Sequence, residues 1–134
     1  MLGLLFKSKN KTKHARILVV DDEPDLVSTI KTRLEWSHFK VITANNGQDG
    51  LDTAVAEKPD LILLDNNMPV MTGLEMLAKL RETDGIKETP VIMVTAVSEP
   101  EKIANASGMG IVDYVTKPFD FSELIDKITM ALEK

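Results

Sequence analysis

Five short apolar runs that mostly lack polar alternation constrain this chain more than any other feature. They lie at 16 to 20 (RILVV), 41 to 43 (VIT), 61 to 64 (LILL), 91 to 94 (VIMV) and 111 to 115 (IVDYV). A strand that stays apolar at consecutive positions is buried on both faces, which happens when helices cover both sides of a parallel sheet. The segments between the runs have helical spacing: Leu26, Ile30 and Leu34 in the first, Leu51 with Val55 in the second, Leu74, Leu77 and Ala78 in the third, and Leu124, Ile128 and Leu132 in the last. Pro24 suits a helical first turn, where its missing N–H costs little, and Asp120 three residues before Glu123 forms a capping pair. A fourth helical segment, around 99 to 107, has its stripe diluted by Ala, Ser, Asn and Gly, and a marginal helix of this kind is easily shifted. The alternation predicts a doubly wound α/β domain: a five-stranded parallel sheet in a three-layer αβα sandwich.

A chain of 134 residues with 43% hydrophobic content fits one such domain with a core of its own. Cysteine is absent, so neither disulfides nor thiolate chemistry are available, and a cytoplasmic location is the expectation. No apolar run approaches the roughly 20 residues that cross a bilayer. Charge divides the chain. Of its 16 basic residues, Lys7, Lys9, Lys11, Lys13 and Arg16 precede every acidic one, leaving 11 against 21 acidic residues. A body that acidic has no general attraction for a nucleic-acid backbone, so direct nucleic-acid binding is not expected. Residues 1–14 read as a basic leader ahead of the domain at 15–134. Leu2, Leu4, Leu5 and Phe6 with the lysines offer a contact for an anionic membrane surface. A solubilising tail, or a helix packing on this or a neighbouring copy, is the weightier reading.

In doubly wound sheets the working site lies beyond the carboxyl ends of the strands, where the strand order reverses. Polar residues stand at those ends. Asp21 and Asp22 follow the first run and Asp65 follows the third. Three carboxylates in one shallow pocket raise one another's pKa unless a cation sits among them, and hard oxygen ligands favour Mg²⁺ or Mn²⁺ over zinc. Thr95 ends the fourth run with a hydroxyl that can donate to an oxyanion, and Ala96 beside it leaves room for a tetrahedral group. Lys117 follows the fifth run and precedes Pro118; a cis bond there, in a tight loop, would aim the lysine inward to pair with the central carboxylate or a phosphoryl group on it. Taken singly each has a bland alternative, as helix caps, strand ends or solvated turn residues. Together they make a phosphoryl site with a carboxylate nucleophile.

The sequence closely resembles the receiver domain of bacterial two-component response regulators, including the single-domain, chemotaxis-regulator-like type. The resemblance runs from Arg16 to about Glu133 and is carried by ILVVDDEP, LILLDNNMPVMTG, VIMVTA and DYVTKPF. It implies a flavodoxin-like (βα)5 fold. It implies that Asp65 accepts the phosphoryl group, that Asp22, Asp65 and the backbone carbonyl of Asn67 bind Mg²⁺, and that Asp21 acts through the water shell of the ion. It further implies that Thr95 and Lys117 contact phosphoryl oxygens and that Tyr114 is the rotating aromatic of a switch, with Ala96, Pro118 and Gly73 in support. Gly73 reads as a tight approach or a helix start beside the metal loop. Asn67 and Val97 border the water path, and a phosphoryl lifetime of minutes or longer is the expectation. Ile111 stands after Gly110 where the family more commonly has alanine. Asp65 is expected to be ionised near its usual pKa, so that no base is needed.

The partners implied are a sensor histidine kinase or histidine phosphotransfer protein and a separate effector, which binds the surface of the fourth helix, fifth strand and fifth helix. Kinase pairing is expected at exposed first-helix residues near Val27, Lys31 and Leu34. A homodimer through the fourth-to-fifth-helix face is a further option. The chain ends just after the last helical segment, so output is expected to pass through a separate protein. Turnover of a separate substrate is not expected. Two readings compete with the switch: a phosphate sink that drains a kinase, and a pseudo-receiver that binds without phosphorylation. Trp36 reads as packing or a surface contact, and His14 and His38 lack ligand spacing.

Overall fold

The structure is a computed structural model that describes residues 14–96 and 107–133. The predicted leader before His14, the predicted fourth helix and Val97 lie outside the described residues. In chain order the elements are β1 (Arg16–Val20), α1 (Pro24–Trp36), β2 (Lys40–Ala44), α2 (Gly47–Glu57), β3 (Leu61–Asp65), α3 (Gly73–Arg81), β4 (Val91–Ala96), a 3-10 turn at Ser107–Met109, β5 (Ile111–Lys117) and α4 (Phe121–Leu132). The helix called α4 is thus the fifth helical segment of the sequence. The five strands form one parallel sheet in the order β2-β1-β3-β4-β5. The order reverses between β1 and β3, which opens a crevice at their carboxyl ends.

The missing polar alternation has its cause in two cores. Leu18, Val20, Ile62, Leu64 and Met93 point to one face of the sheet and pack on Ala54 of α2 and Met76, Leu77 and Leu80 of α3. Ile17, Val19, Leu61, Leu63, Ile92 and Val94 point to the other and pack on Ile30 and Leu34 of α1 and Leu124 and Ile128 of α4. Each fully buried side chain of this size contributes about 1.5–3 kcal/mol relative to exposure. Arg33 of α1 lies 4.8 Å from the ring centroid of Phe121, joining the two helices of the second layer.

Several expectations need correcting. Val55 is exposed; α2 instead turns Gly47, Gly50 and Ala54 inward, because small residues let it approach the sheet. Leu34 is fully buried, so of the proposed kinase-facing residues Lys31 is exposed and Val27 half-buried, and Leu34 belongs to the core. Asp120 stands at the N-cap of α4 but its side chain makes no cap bond, and that helix rests on its buried stripe. Among the described residues the capping box is at α3, where Thr72 accepts from the Glu75 N–H and Glu75 accepts from the Thr72 N–H, each at 3.1 Å. Strands β4 and β5 run further than their apolar runs, because Thr95 pairs with Thr116 and Ala96 with Lys117. Arg16 begins β1, as its run at 16 to 20 predicts, and is bound to Glu57, with its backbone N–H donating to Asp60 Oδ2 at 2.8 Å.

The loop from β3 to α3 holds a strained residue. The Met71 N–H donates to the Pro69 carbonyl at 2.8 Å, closing a three-residue turn on Val70, which has φ of 71° and is fully exposed. A β-branched side chain in the left-handed region is an outlier that costs on the order of 1–3 kcal/mol. Val70→Gly gives up no burial and is expected to stabilise the protein by about 1 kcal/mol after the larger entropy of the unfolded glycine chain is offset. A urea midpoint that does not rise would show that the turn is unstrained.

Candidate functional site

Four strands deliver polar residues to one edge of the sheet. Asp21 and Asp22 come directly after β1, Asp65 ends β3, Thr95 lies one residue before the end of β4, and Lys117 ends β5. One carboxylate oxygen from each of Asp21, Asp22 and Asp65 lies within 4.8 Å of the others. Asp21 and Asp65 are each 2% exposed, whereas Asp22 faces solvent. The Lys117 Nζ is 3.1 Å from Asp21 Oδ2, 3.2 Å from Glu23 Oε1 and 3.5 Å from Asp65 Oδ1. Asp21 Oδ1 accepts from the Glu23 N–H at 2.9 Å, which fixes its orientation.

Asp65 is the least satisfied member. Its Oδ1 accepts from the Asn67 N–H at 3.3 Å, while its Oδ2 is buried without a hydrogen-bond partner. Burial, followed by the charge of Asp21, pushes its pKa up to about 6 against the pull of Lys117 and the Asn67 amide. The usual value expected from sequence is therefore wrong, since an isolated strand end gives no measure of desolvation. Asp65 is still about nine-tenths ionised at pH 7. Burial draws the Lys117 pKa down, but the hydrogen bond and charge of Asp21, with Asp65 and Glu23, outweigh it and leave the ammonium raised.

An orphaned buried carboxylate oxygen beside two more carboxylates fits a hard divalent cation such as Mg²⁺, which takes oxygen ligands and retains water on its exposed side. Asp21, Asp22 and Asp65 are the one group able to hold a metal among the described residues, and neither His14 nor His38 joins it.

The flanking residues shape the pocket. Thr95 is buried, and its hydroxyl reaches the Ala96 carbonyl only at 3.5 Å, the limit of a hydrogen bond. Gly73 is both a tight approach and a helix start: it opens α3, and a Cβ there would lie 2.3 Å from the Asp65 carbonyl oxygen. Its N–H donates to the Asn66 carbonyl and that of Leu74 to Asn66 Oδ1, each at 3.1 Å, so the loop folds back on the end of β3. The Lys117–Pro118 bond is cis. The Tyr114 side chain is exposed, and Trp36 is 79% exposed, a surface residue.

Three contributors were missed from sequence. Glu23 is a second partner of Lys117, and the run Asp21-Asp22-Glu23 was the available signal. Arg81 donates to the carbonyls of Lys87, Thr89, Met109 and Gly110, tying α3 to the turn before β5. Lys127 reaches Asp113 and Tyr114. No spacing in the sequence announces the last two.

The sequence model of one family, the response regulator receiver domain, matches residues 17–129. Among curated relatives, the uncharacterized transcriptional regulatory protein YkoG of Bacillus subtilis is 41% identical over 119 residues, 88% of this chain and 51% of that protein. The chain spans about half the length of the curated relatives it matches. Among solved structures, the chemotaxis protein CheY4 of Vibrio cholerae superposes with a TM-score of 0.82 at 32% identity, covering 87% of this chain and 98% of that one. The response regulator TrrA of Thermotoga maritima, solved in complex with Mg(2+)-BeF, gives 0.77 at 34% identity with the same coverage.

Proposed function

The chain belongs to the response regulator receiver domain family of two-component signalling, and from that membership we propose that Asp65 is its phosphoacceptor and Tyr114 part of its output switch. The observation that carries the assignment is the buried Asp65 carboxylate, whose Oδ2 has no partner while its Oδ1 lies 3.5 Å from the ammonium of Lys117. The donor is a phosphohistidine of a kinase or phosphotransfer protein, or a small acyl phosphate. One carboxylate oxygen of Asp65 forms the new P–O bond, and the bond from phosphorus to the donor breaks with its electron pair leaving on the donor. Asp65 needs no base, being mostly ionised at neutral pH.

Lys117 neutralises charge on the phosphoryl oxygens from a position already held by Asp21 and Glu23, so little reorganisation is needed. Asp22, Asp65 and the Asn67 carbonyl would hold Mg²⁺, with Asp21 acting through its water shell, and the bound ion would add charge neutralisation at the same oxygens. The Thr95 hydroxyl, weakly engaged at 3.5 Å, turns to the new dianion, and Ala96 leaves room for it. That movement frees space into which Tyr114 rotates, changing the β5 and α4 surface that a separate effector reads. The Mg(2+)-BeF complex of TrrA supports the metal and phosphoryl reading for this chain.

Intact-mass analysis after incubation with acetyl phosphate is expected to show a gain of about 80 Da, one phosphoryl group, with Mg²⁺ and none in its absence. Peptide mapping should place it on Asp65. A folded, Mg²⁺-binding protein that gains no mass from acetyl phosphate or from a phosphorylated histidine kinase would sink the proposal and favour a phosphorylation-independent binding module.

A further inference from the structure

Asp113 and Lys127 surround Tyr114 on the outer side of β5. Among the described residues β5 is an edge strand with a neighbour only on its β4 side, so the outward N–H and carbonyl of Tyr114 have no strand to pair with. The Asp113 carboxylate accepts from the Tyr114 N–H at 2.8 Å, and Lys127 Nζ, from α4, donates to the Tyr114 carbonyl at 2.8 Å. The same ammonium lies 3.3 Å from Asp113 Oδ1 and 5.7 Å from the centroid of the Tyr114 ring.

We propose that Lys127 is a latch for Tyr114, a positioning residue that holds the ring outward and so biases the unphosphorylated protein to its resting state. The proposal rests on the switch reading given above. The ammonium is anchored by a backbone carbonyl and a carboxylate whether or not the ring is present, so its attraction for the ring face costs no further ordering of the lysine. The attraction acts only on the outward ring, because the two anchoring contacts survive rotation of the tyrosine side chain. The latch is therefore worth one surface cation–π contact, which corresponds to about a two- to five-fold shift in the outward-to-inward ratio. A residue that only sealed the strand edge would stabilise both ring positions equally.

The chain has one tyrosine, so 3-fluorotyrosine labelling gives a single ¹⁹F resonance that reports its position. In Lys127→Met, which keeps the aliphatic stem and removes the charge, the unphosphorylated resonance is expected to move toward the position reached with beryllium fluoride and Mg²⁺. The expected shift is about two- to five-fold in population, with a matching gain in apparent beryllium fluoride affinity. Lys127→Arg, which retains the cation, is expected to stay with the wild type. General loosening of the edge would instead move the resonance toward that of the unfolded chain, and would count against the latch. If beryllium fluoride moves the wild-type resonance while Lys127→Met coincides with wild type at rest, the latch is wrong and the switch stands. If beryllium fluoride leaves the wild-type resonance unmoved, the switching role of Tyr114 fails and the latch with it.

Discussion

Asp65→Asn is expected to abolish phosphoryl acceptance and, in the same metal-free sample at neutral pH, to make the protein more stable. The native carboxylate is buried next to Asp21 with one oxygen unpartnered, and its pKa stands at about 6 against 3.8 for the free group. Because the folded value exceeds the unfolded one, the folded state binds the proton more tightly. The contribution of this group to stability is thus fully present below pH 3.8 and lost as pH rises through 6. The shift corresponds to an upper bound of about 3 kcal/mol at neutral pH. The amide removes that charge but also the attraction to Lys117, so about 2 kcal/mol is the expected gain, or roughly 5–8 °C in melting temperature. Thermal melts of wild type and variant from pH 4 to 8 with chelator check this. The wild type should lose stability between pH 4 and 6 relative to the variant, and Mg²⁺ should raise the wild-type melting temperature much more than that of the variant. Equal melting temperatures at pH 7.5 would mean that the site carries no stored repulsion.

Gly73→Ala is expected to be the most damaging single-methyl change in the domain. The reason is space and not backbone conformation, since the added Cβ would stand 2.3 Å from the Asp65 carbonyl oxygen and 2.9 Å from Asn66 Cα. Both obstacles are backbone atoms where β3 ends at Asp65 and Asn66 begins the loop, so no side chain can swing aside. Either the start of α3 withdraws, straining the Thr72–Glu75 capping box and the bonds from Gly73 and Leu74 to Asn66, or the end of β3 shifts. A loss of about 3 kcal/mol is expected, in the upper range for overpacking. Beryllium fluoride affinity should fall at least about tenfold, since displacement of a reacting group by an ångström is costly. Urea denaturation with a fluoride-complex titration tests both, and unchanged values would show that α3 is free to slide.

Much of this architecture was legible because burial writes itself into a sequence. Consecutive apolar positions such as Ile17 to Val20 arise only when both faces of a strand are covered, and carboxylates directly after such runs must sit at one edge of a parallel sheet. The positions of Asp21, Asp22, Asp65, Thr95 and Lys117 followed from local pattern and from family resemblance together. Helix faces were less legible where small residues carry the contact: of Leu51 and Val55, Leu51 packs against the core beside Gly50 and Ala54, and Val55 faces outward. Capping was misplaced because Asp120 and Thr72 both satisfy the pattern and only geometry separates them.

By itself the sequence determined the doubly wound sheet, its crevice and the chemical types gathered there, since these depend on which residues are apolar and which polar at each strand end. Tertiary structure alone decided the energetics of the site. The raised pKa of Asp65, the grip of Asp21 and Glu23 on Lys117, the carbonyl cage of Arg81 and the ammonium of Lys127 over Tyr114 all join residues from different elements. Such effects depend on distances and desolvation among distant parts of the chain, and the spacing of residues along the chain encodes neither.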